Sequence, residues 1–509
     1  MTEAQTNHLL DGLLGGREKD ERAFLHFANG HVWTYRDTMS LAARMSAVLR
    51  DHGVQPGDRV AVKVQKSPEA VALALACVHA GGAIVPLNPD YTAAEVAYFI
   101  GDADPAVLVG DPVEADVLAA IANPAGITFL TLGADGAGSL SEFARAASEV
   151  APEPRGADDL AALMYTSGTT GRSKGAELTH DNLLSNARAL ASEWRFTEDD
   201  ILLHALPIFH THGLFVAVNV SLVAGAAMVL VPRFDADEVV RLLPRATAMM
   251  GVPTFYTRLL ASDRFNGEVA GHIRLFVSGS APLLAATHAA FEERTGKRIL
   301  ERYGMSETSM ITSNPYSRER RAGTVGFPLD GVSIRVCDPD TGEKVVPGRA
   351  GVIEVKGPNV FRGYWRMPEK TASEFRPDGY FITGDLGQID ADGYLQIVGR
   401  GKDLVISGGF NVYPKEIETE IDALVGVVES AVIGVPHPDF GEGVVAAVVT
   451  ESEASITEST IIEALAGRLA RFKQPKRVVF VDELPRNVMG KVQKNVLRDD
   501  YKGMFQPDR

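Results

Sequence analysis

Short apolar runs alternate with helical patterns along roughly the first 300 residues, and this alternation restricts the folds open to the chain. Residues 59–64, 83–87, 106–109 and 160–165 have the length of buried strands, and helical patterns follow them. Strands that alternate with helices favour an α/β architecture with largely parallel sheets. The sequence therefore predicts a large N-terminal body of αβ-layered sheets.

The pattern changes from residue 324 to residue 398, where Gly, Pro and Asp interrupt short runs such as 332–336 and 352–355. This punctuation is typical of short antiparallel strands. We therefore expect a small β-barrel-like subdomain in this part of the chain.

A second boundary falls near residues 399–403. Beyond it lie two apolar runs on either side of a Pro/Gly-rich turn, a set of apolar residues at helical spacing, and a further strand. These features are the runs 431–435, 444–450 and 477–481, and residues Ile462, Leu465, Leu469 and Phe472. We predict an N-terminal domain at 1–400 and a small α+β domain at 401–509.

Charge excludes some partners. The 50 Lys and Arg against 66 Asp and Glu give a net charge of −16, with no basic run, which opposes nucleic-acid binding. The two cysteines, Cys77 and Cys337, offer no disulfide framework and fit a reducing compartment. No signal peptide is visible. The segment 201–232 carries no Asp, Glu, Lys or Arg and is long enough to span a membrane, but it contains three histidines and is divided by Gly225. We therefore predict a buried helix at 214–223 and a buried strand at 226–231. We expect a cytoplasmic protein without a membrane span.

The segment from Leu160 to Gly175 is the sharpest chemical feature. An apolar strand runs into a loop rich in Gly, Ser and Thr that ends near Lys174. The glycines let backbone N–H groups converge on anionic oxygens, while the hydroxyls and the lysine add donors and charge. The spacing does not fit a Walker A loop.

Residues 165–175 resemble the phosphate loop of the acyl-adenylate-forming, or AMP-binding, enzymes, which include acyl-CoA synthetases, aryl-CoA ligases, luciferases and adenylation domains of peptide synthetases. Five more motifs similar to those of the family follow in the same order: PIFHTHG at 207–213, ERYGMSET at 301–308, YFITGD at 380–385, GRGKD at 399–403 and PRNVMGK at 485–491. The resemblance covers essentially the whole chain. It implies an ATP-dependent acid–thiol ligase whose C-terminal domain is a mobile lid.

The resemblance also implies an ATP site. In it the glycine-rich loop holds the β and γ phosphates, Asp385 accepts the ribose hydroxyls beside Arg400, and Tyr303 faces adenine. The ATP contacts implied are Thr166, Ser167, Gly168, Thr169, Thr170, Gly171, Lys174, Ser280, Ala281, Glu301, Arg302, Tyr303, Gly304, Met305, Ser306, Asp385 and Arg400.

A magnesium ion is implied as well, held by Thr166 and Glu307, since oxygen ligands suit this hard cation. His210 and His212 do not suggest a zinc site, because no nearby Cys or acidic residue completes the ligand set. The resemblance instead places His210 near the acyl pocket and the thiol channel, as a candidate catalytic residue.

Lys491 is the second catalytic candidate. By resemblance it bridges the carboxylate and the α-phosphate during adenylation, for which a point charge on a flexible stem is suited. Lys402 and Asp403 correspond to the hinge about which the lid turns, and Ser407, Gly408 and Gly409 would border the CoA tunnel afterwards. We also expect that a protein acetyltransferase could modify Lys491 and remove its charge.

The acid is inferred from two further segments, VPTFYTR at 252–258 and SGSAP at 278–282, which make the chain most similar to the malonyl-CoA synthetases within the family. Their resemblance assigns Arg258 to the distal carboxylate of malonate. Arg302, His210 and the small polar Ser280 complete the implied acyl pocket. The expected reaction joins malonate, ATP and CoA into malonyl-CoA, AMP and pyrophosphate.

The sequence also allows other functions. A ligase for methylmalonate or another short acid would share every motif. An adenylating module that loads a carrier protein would want a fused or adjacent carrier domain, for which 509 residues leave no room. A luciferase-like oxygenase would require a large aromatic pocket, whereas the chain has only three Trp. A non-catalytic nucleotide-binding protein would not need the catalytic residues, yet every candidate catalytic residue is present in this chain.

Overall fold

The computed structural model describes residues 6–166, 173–339, 341–407, 410–451, 456–466, 468–487 and 490–505, with the backbone alone at 402, 410 and 411. Within these ranges the chain forms four sheets, two of them large and mostly parallel. A continuous core of buried side chains, including Phe24, Trp194 and Leu203, extends through both large sheets.

The seven-stranded sheet contains the strands predicted before residue 170. Its strands, in order across the sheet, are Gly363–Tyr364, Lys174–Thr179, Leu160–Thr166, Ala83–Pro86, Arg59–Lys63, Val107–Gly110 and Thr128–Thr131. The last five run parallel to one another, and Lys174–Thr179 pairs antiparallel with Leu160–Thr166. Both ends of the phosphate-loop segment are therefore held by adjacent strands of one sheet.

The nine-stranded sheet combines two paired strands near the start of the chain with strands from residue 201 onward. Its order is Phe327–Pro328, Ser309–Ser313, Ile299–Met305, Leu275–Ser278, Ala248–Gly251, Ile201–His204, Ala227–Leu230, Ala23–His26 and Val32–Thr34. The central strands are parallel, so their carboxyl ends meet at one edge. Ligands in open α/β sheets bind at that kind of edge.

The predicted barrel-like subdomain is an open antiparallel sheet of Ser333–Cys337, Gly351–Lys356, Phe381–Ile389 and Leu395–Arg400. Its first and last strands do not pair with each other in the described residues, so the sheet stays unclosed. Asp385 lies within the third strand, directly after Gly384, whose φ is 71°.

The C-terminal part carries its own sheet, in which Phe410–Val412, Val405–Ser407, Gly441–Thr450 and Val427–His437 pair antiparallel and Arg477–Phe480 pairs parallel with Gly441–Thr450. The predicted helix after residue 456 covers Glu458–Ala466. Leu469 and Phe472 lie beyond it in turns, although both still pack on the same core.

Helices cover the faces of the sheets, and several begin at a residue that caps them. Ser67 accepts the N–H of Ala70, and Thr179 and Asn182 cap each other reciprocally. The α-helices are His8–Leu14, Tyr35–Asp51, Pro68–His79, Ala93–Ala103, Ala115–Ala122, Ser139–Ala146, His180–Glu193, Asn219–Ala224, Ala236–Leu242, Pro253–Leu260, Gly267–Ala270, Ala285–Thr295, Pro368–Ser373, Pro414–Asp422, Glu458–Ala466 and Lys494–Tyr501. Short 3₁₀ turns occupy Pro112–Glu114, Asn123–Ala125, Leu243–Arg245 and Gly401–Asp403.

The uncharged segment 201–232 lies in the core. It forms the strand Ile201–His204, a π-helix at His212–Val218, the α-helix Asn219–Ala224 and the strand Ala227–Leu230, so the predicted single helix is in two parts. In the part of the chain that the structure describes, no helix is both long and apolar enough to cross a bilayer.

Buried histidines make the stability of this fold depend on pH. Burial lowers the pKa of His79 and of His180 from 6.5 to about 4. Between pH 6.5 and pH 4 these histidines bind protons in the unfolded chain but not in the folded protein. Their contribution to stability is therefore complete above pH 6.5, and it is lost as the pH falls from 6.5 through 4. Each such histidine should reduce the free energy of unfolding by roughly 1–3 kcal/mol at pH 4.

Urea denaturation at several pH values tests this expectation. His180→Asn should flatten the decrease in stability between neutral and acid pH relative to the wild type. His31→Asn, at an exposed histidine, serves as the control. The same pH slope in all three proteins would contradict a contribution from buried His180.

Candidate active site

The strand Ile299–Met305 contributes side chains to two parts of the site. Tyr303 donates its hydroxyl proton to Oδ2 of Asp385 at 2.6 Å, and Nε of Arg400 lies 3.1 Å from Oδ1 of the same carboxylate. Asp385 and Arg400 are direct partners in the open sheet. Burial and then the neighbouring carboxylate raise the pKa of Tyr303, which keeps the phenol protonated as a donor. The result is a buried carboxylate of fixed orientation that can accept further hydroxyl groups.

A second cluster surrounds Glu307, which is 5% exposed. Its Oε1 accepts hydrogen bonds from the hydroxyls of Thr166 at 3.3 Å and of Tyr364 at 3.2 Å. Tyr364 also donates to Glu374 at 2.7 Å, and Nζ of Lys174 lies 3.5 Å from Glu374 and 4.0 Å from the centre of the Tyr364 ring. Burial raises the pKa of Glu307. Tyr364 and Glu374 carry no periodic or motif signal that sequence reasoning could have used.

The donors of this cluster fit a magnesium ion. Thr166 and Glu307 offer oxygen only, and Mg²⁺ usually takes one or two carboxylates while substrate phosphates and water fill its remaining positions. Among the described residues no group of three His, Cys, Asp or Glu side chains forms a metal site of its own. Thr166 and Glu307 remain the predicted ligands of the ion.

Arg302 lies in a separate group of packed side chains, which we call the Arg302 chamber and which contains Arg302, His210, His212, Gly279 and Ser280. Arg302 is 4% exposed, and its Nε and Nη2 atoms have no hydrogen-bond partner among the described residues. Burial lowers the pKa of the guanidinium to about 9. A Cβ atom on Gly279 would lie 2.3 Å from Cζ of Arg302, so a side chain at position 279 would displace the guanidinium. Within the part of the chain that the structure describes, the chamber thus holds a buried cation whose Nε and Nη2 are unpaired.

Two histidines of the chamber are neutral near pH 7. Burial, with the charges of Arg302 and Lys491 adding to it, lowers the pKa of His210 to about 4, and burial lowers the pKa of His212 well below its usual value. The backbone N–H of His212 donates to Nδ1 of His210 at 3.2 Å, and Nδ1 of His212 lies 3.4 Å from Oγ of Ser280. Ser280 has φ 71°, a strained conformation of the kind that clusters at functional sites. Nε2 of His212 has no partner in the described residues and remains able to bind a ligand.

The C-terminal domain reaches this chamber through Lys491, whose charge acts on His210. A Cβ on Gly490 would lie 3.0 Å from Cγ2 of Thr254, which shows how closely the two domains approach. Asn487 accepts the backbone N–H of Lys491 at 3.0 Å. The predicted catalytic lysine is therefore held beside the predicted catalytic histidine.

Arg258 and Glu301 are two further predicted site residues, and their surroundings differ. Arg258 is exposed in the last turn of Pro253–Leu260, one helical turn after Thr254, and its contact with a carboxylate stays a prediction. Glu301 turns its carboxylate to the backbone N–H of Gly323 at 3.2 Å and to His288 at 3.6 Å, and its contact with the nucleotide stays a prediction.

The other predicted site residues lie at the end of the strand Ile299–Met305, next to Ser280 and in the C-terminal part of the chain. Gly304, Met305 and Ser306 continue the strand into a turn, and a Cβ on Gly304 would lie 2.0 Å from the carbonyl of Ser309. Asp403 accepts a hydrogen bond from Arg498 at 2.6 Å, and Ser407 is buried. Ala281 follows Ser280 and is half-buried. Outside the described residues lie Ser167, Gly168, Thr169, Thr170, Gly171, Gly408, Gly409 and the side chain of Lys402.

Comparison with known proteins agrees with this geometry. Residues 15–365 match the family model of the AMP-binding enzyme, and residues 416–491 match that of the AMP-binding enzyme C-terminal domain. The crystal structure of ATP-bound MatB from Rhodopseudomonas palustris is 59% identical, covers 98% of this chain and 100% of its own, and has a TM-score of 0.96. The apo crystal structure of MatB gives a TM-score of 0.86 at the same identity and coverage, so this chain is closer to the ATP-bound arrangement.

Two curated relatives differ in the acid in their names. Feruloyl-CoA synthase of Amycolatopsis sp is 38% identical over 480 residues, covering 92% of this chain and 94% of that protein. Malonate–CoA ligase of Arabidopsis thaliana is 33% identical over 556 residues, covering 97% of this chain and 90% of that protein. Both names are those of enzymes that join an acid to coenzyme A.

The unpaired charge of Arg302 should reduce the stability of the ligand-free protein. Replacing a buried charge with an apolar side chain of similar volume is often stabilising by roughly 1–4 kcal/mol. We expect Arg302→Met to raise the Tm of the ligand-free protein, measured by calorimetry. Arg258→Met, at an exposed arginine, should change the free energy of unfolding by no more than about 0.5 kcal/mol. A lower Tm for Arg302→Met would contradict the unpaired state of this guanidinium.

Proposed function

The chain belongs to the AMP-binding enzyme family, and from this we propose that it is an ATP-dependent ligase that joins malonate to coenzyme A. The single observation that carries the choice of acid is the buried guanidinium of Arg302. An aromatic or fatty acid would leave this charge unpaired, whereas the second carboxylate of malonate would neutralise it. Guanidinium can meet a carboxylate with two parallel hydrogen bonds.

The chamber supports this proposal in two further ways. Nε and Nη2 of Arg302 are the donors that such a pairing needs, and Nε2 of His212 offers a third polar contact. Ser280 keeps the lining small and polar, which suits a three-carbon dicarboxylate. The exposed Arg258, on the helix that faces Gly490, is proposed as a second cation at the entrance.

The first half-reaction is adenylation. A carboxylate oxygen of malonate attacks the α-phosphorus of ATP, the bond to the β-phosphate breaks, and pyrophosphate leaves. Both reactants are anions, so the enzyme must align them and supply positive charge. We assign this role to Lys491 at the open side of the chamber and to Lys174 beside the phosphates.

The nucleotide is held by the groups already described. Asp385 would accept the ribose hydroxyls, with Tyr303 and Arg400 fixing its orientation. Thr166 and Glu307 would hold Mg²⁺, which when bound neutralises charge on the phosphate oxygens. His210, kept neutral by burial, lies where the acyl group and the incoming thiol meet and does not repel a cation beside it.

The second half-reaction forms the thioester. The thiolate sulfur of coenzyme A attacks the acyl carbonyl, and the bond to AMP breaks. We propose that the lid, residues 401–509, first turns about Lys402 and Asp403, removing Lys491 and bringing residues 407–409 to the tunnel for pantetheine. Terminal residues of elements commonly act as such hinges, and Asp403 sits in the 3₁₀ turn between the two domains.

Acetylation of Lys491 and a cytoplasmic location stay predictions. Modification would remove the charge that we assign to adenylation. Both cysteines are free and buried, in keeping with a reducing compartment.

A panel of acids tests the proposed substrate. We expect the wild type to release AMP fastest with malonate, and far more slowly with butyrate or ferulate. Removing one partner of a desolvated charge pair costs about 2–5 kcal/mol, so Arg302→Met should lower kcat/KM for malonate by roughly 30- to 4,000-fold. Butyrate has no distal charge and should lose much less.

Arg258→Met provides the comparison within the same assay. Because its guanidinium is exposed, we expect a smaller loss for malonate than in Arg302→Met. An equal loss for malonate and butyrate in Arg302→Met, or a wild-type preference for ferulate, would overturn the malonate assignment.

The two half-reactions should separate in Lys491→Ala. Exchange of labelled pyrophosphate into ATP, which reports adenylation, should decrease by roughly 10²- to 10³-fold, as expected for losing one preorganised electrostatic contact. Transfer from preformed malonyl-AMP to coenzyme A should stay close to the wild-type rate. An equal decrease in both steps, with the fold intact, would contradict a lid that works in two positions.

A further inference from the structure

A buried lysine outside the nucleotide and acid contacts bonds to the loop that carries the active-site histidines. Lys66 follows the strand Arg59–Lys63 of the seven-stranded sheet and is 8% exposed. Its Nζ lies 2.7 Å from Nδ1 of His204, 2.8 Å from the carbonyl oxygen of His204 and 2.9 Å from that of Leu206. One side chain therefore joins the seven-stranded sheet to the end of a strand in the nine-stranded sheet.

The three partners of Nζ suit an ammonium group. Both carbonyls can only accept, and Nε2 of His204 faces the carbonyl oxygen of Gly213 at 2.8 Å, so this nitrogen carries the ring proton. Nδ1 of His204 is then an acceptor. Three acceptors around Nζ use all three of its hydrogens, whereas a neutral amine would leave one acceptor without a donor.

The imidazole of His204 extends this contact across the loop. Residues 204–213 leave the strand, turn, and return so closely that a Cβ on Gly213 would lie 2.0 Å from the carbonyl oxygen of Pro207. Lys66 holds the first part of the loop, and His204 ties the loop's end at Gly213 to its beginning. His210 and His212 lie between these two points.

Lys66 differs from the other buried lysine of the same segment. Lys63 forms an ion pair of 2.5 Å with Glu114 and donates to the carbonyl of Pro89 at 2.6 Å. Among the residues that the structure describes, Lys66 has three neutral acceptors and no carboxylate partner, and burial lowers its pKa well below the ordinary value. Desolvating a cation without a counter-charge costs free energy. If the contact only held the structure together, a neutral side chain would do so at a lower cost in free energy.

We propose that Lys66 is a positioning residue for the acyl site, which acts through His204 to fix the loop that places His210 and His212 in the Arg302 chamber. The proposal rests on the adenylation proposed above, although not on malonate being the acid. Lys66 does not line the chamber, and its effect is on the geometry of groups that do. Misplacing a catalytic group by about 1 Å can reduce a rate by roughly 100-fold.

Lys66→Met tests the proposal, because methionine keeps most of the length of the side chain but cannot donate. Pyrophosphate exchange is measured with the acid that the wild type adenylates fastest, so that an error about malonate does not affect the result. We expect kcat to fall about 10- to 100-fold. ATP binding without acid, measured by equilibrium titration, should stay within about twofold, because a general loss of structure would weaken it as well.

Lys63→Met is the matched control. It removes a lysine of the same strand end whose partners lie outside the 204–213 loop, so it should lower the Tm without a corresponding change in kcat. Equal effects of the two variants on kcat, relative to their folded fractions, would overturn the proposal. So would a wild-type rate in Lys66→Met, or an equal loss of ATP binding.

His204→Leu gives a second test for the case in which Lys66→Met fails to fold. Leucine cannot donate, so this change removes the hydrogen bond to Gly213 and leaves the two carbonyl contacts of Lys66, and it should reproduce the loss of kcat. In the double variant the losses should not multiply, because both changes disconnect the same loop. A wild-type rate in His204→Leu, or full multiplication of the two effects, would refute this path.

Discussion

Side chains alternate across the strand Ile299–Met305, and both halves of the site depend on that alternation. In a strand, successive residues point to opposite faces. Arg302 therefore faces the buried chamber, while Tyr303 faces Asp385 on the open sheet. A shift of one residue in register would remove the guanidinium from the chamber and the phenol from Asp385. The pairing of this strand with Leu275–Ser278 on one side and Ser309–Ser313 on the other fixes the register.

The electrostatics of the chamber are those of a receptor for anions in a protein of net charge −16. Burial keeps His210 and His212 neutral, so the positive charge at this point comes from Arg302 and Lys491. The buried guanidinium of Arg302, whose Nε and Nη2 have no partner among the described residues, destabilises the empty protein, and a bound dicarboxylate would remove that penalty. Substrate binding and stability are coupled by this arrangement.

Sequence reasoning located the strands and helices that position the site, because hydrophobic periodicity and caps are local. The strand predicted at 160–165, for example, is Leu160–Thr166 in the structure. It did not find Tyr364 and Glu374 beside Glu307, or Lys66 beside His204, since these pairs come from distant parts of the chain and carry no periodic signal. The open edge of the four-stranded sheet was missed for the same reason: closure depends on strand tilt and pairing, which composition does not encode.

Gly279 lies directly against the guanidinium of Arg302. The first carbon of any side chain at position 279 would lie 2.3 Å from Cζ of Arg302. Because the guanidinium ends a flexible side chain, a larger residue at 279 would move this charge rather than remove it. An uncharged position therefore sets where the positive charge of the chamber stands, and its substitution would shift that charge while leaving the arginine in the sequence.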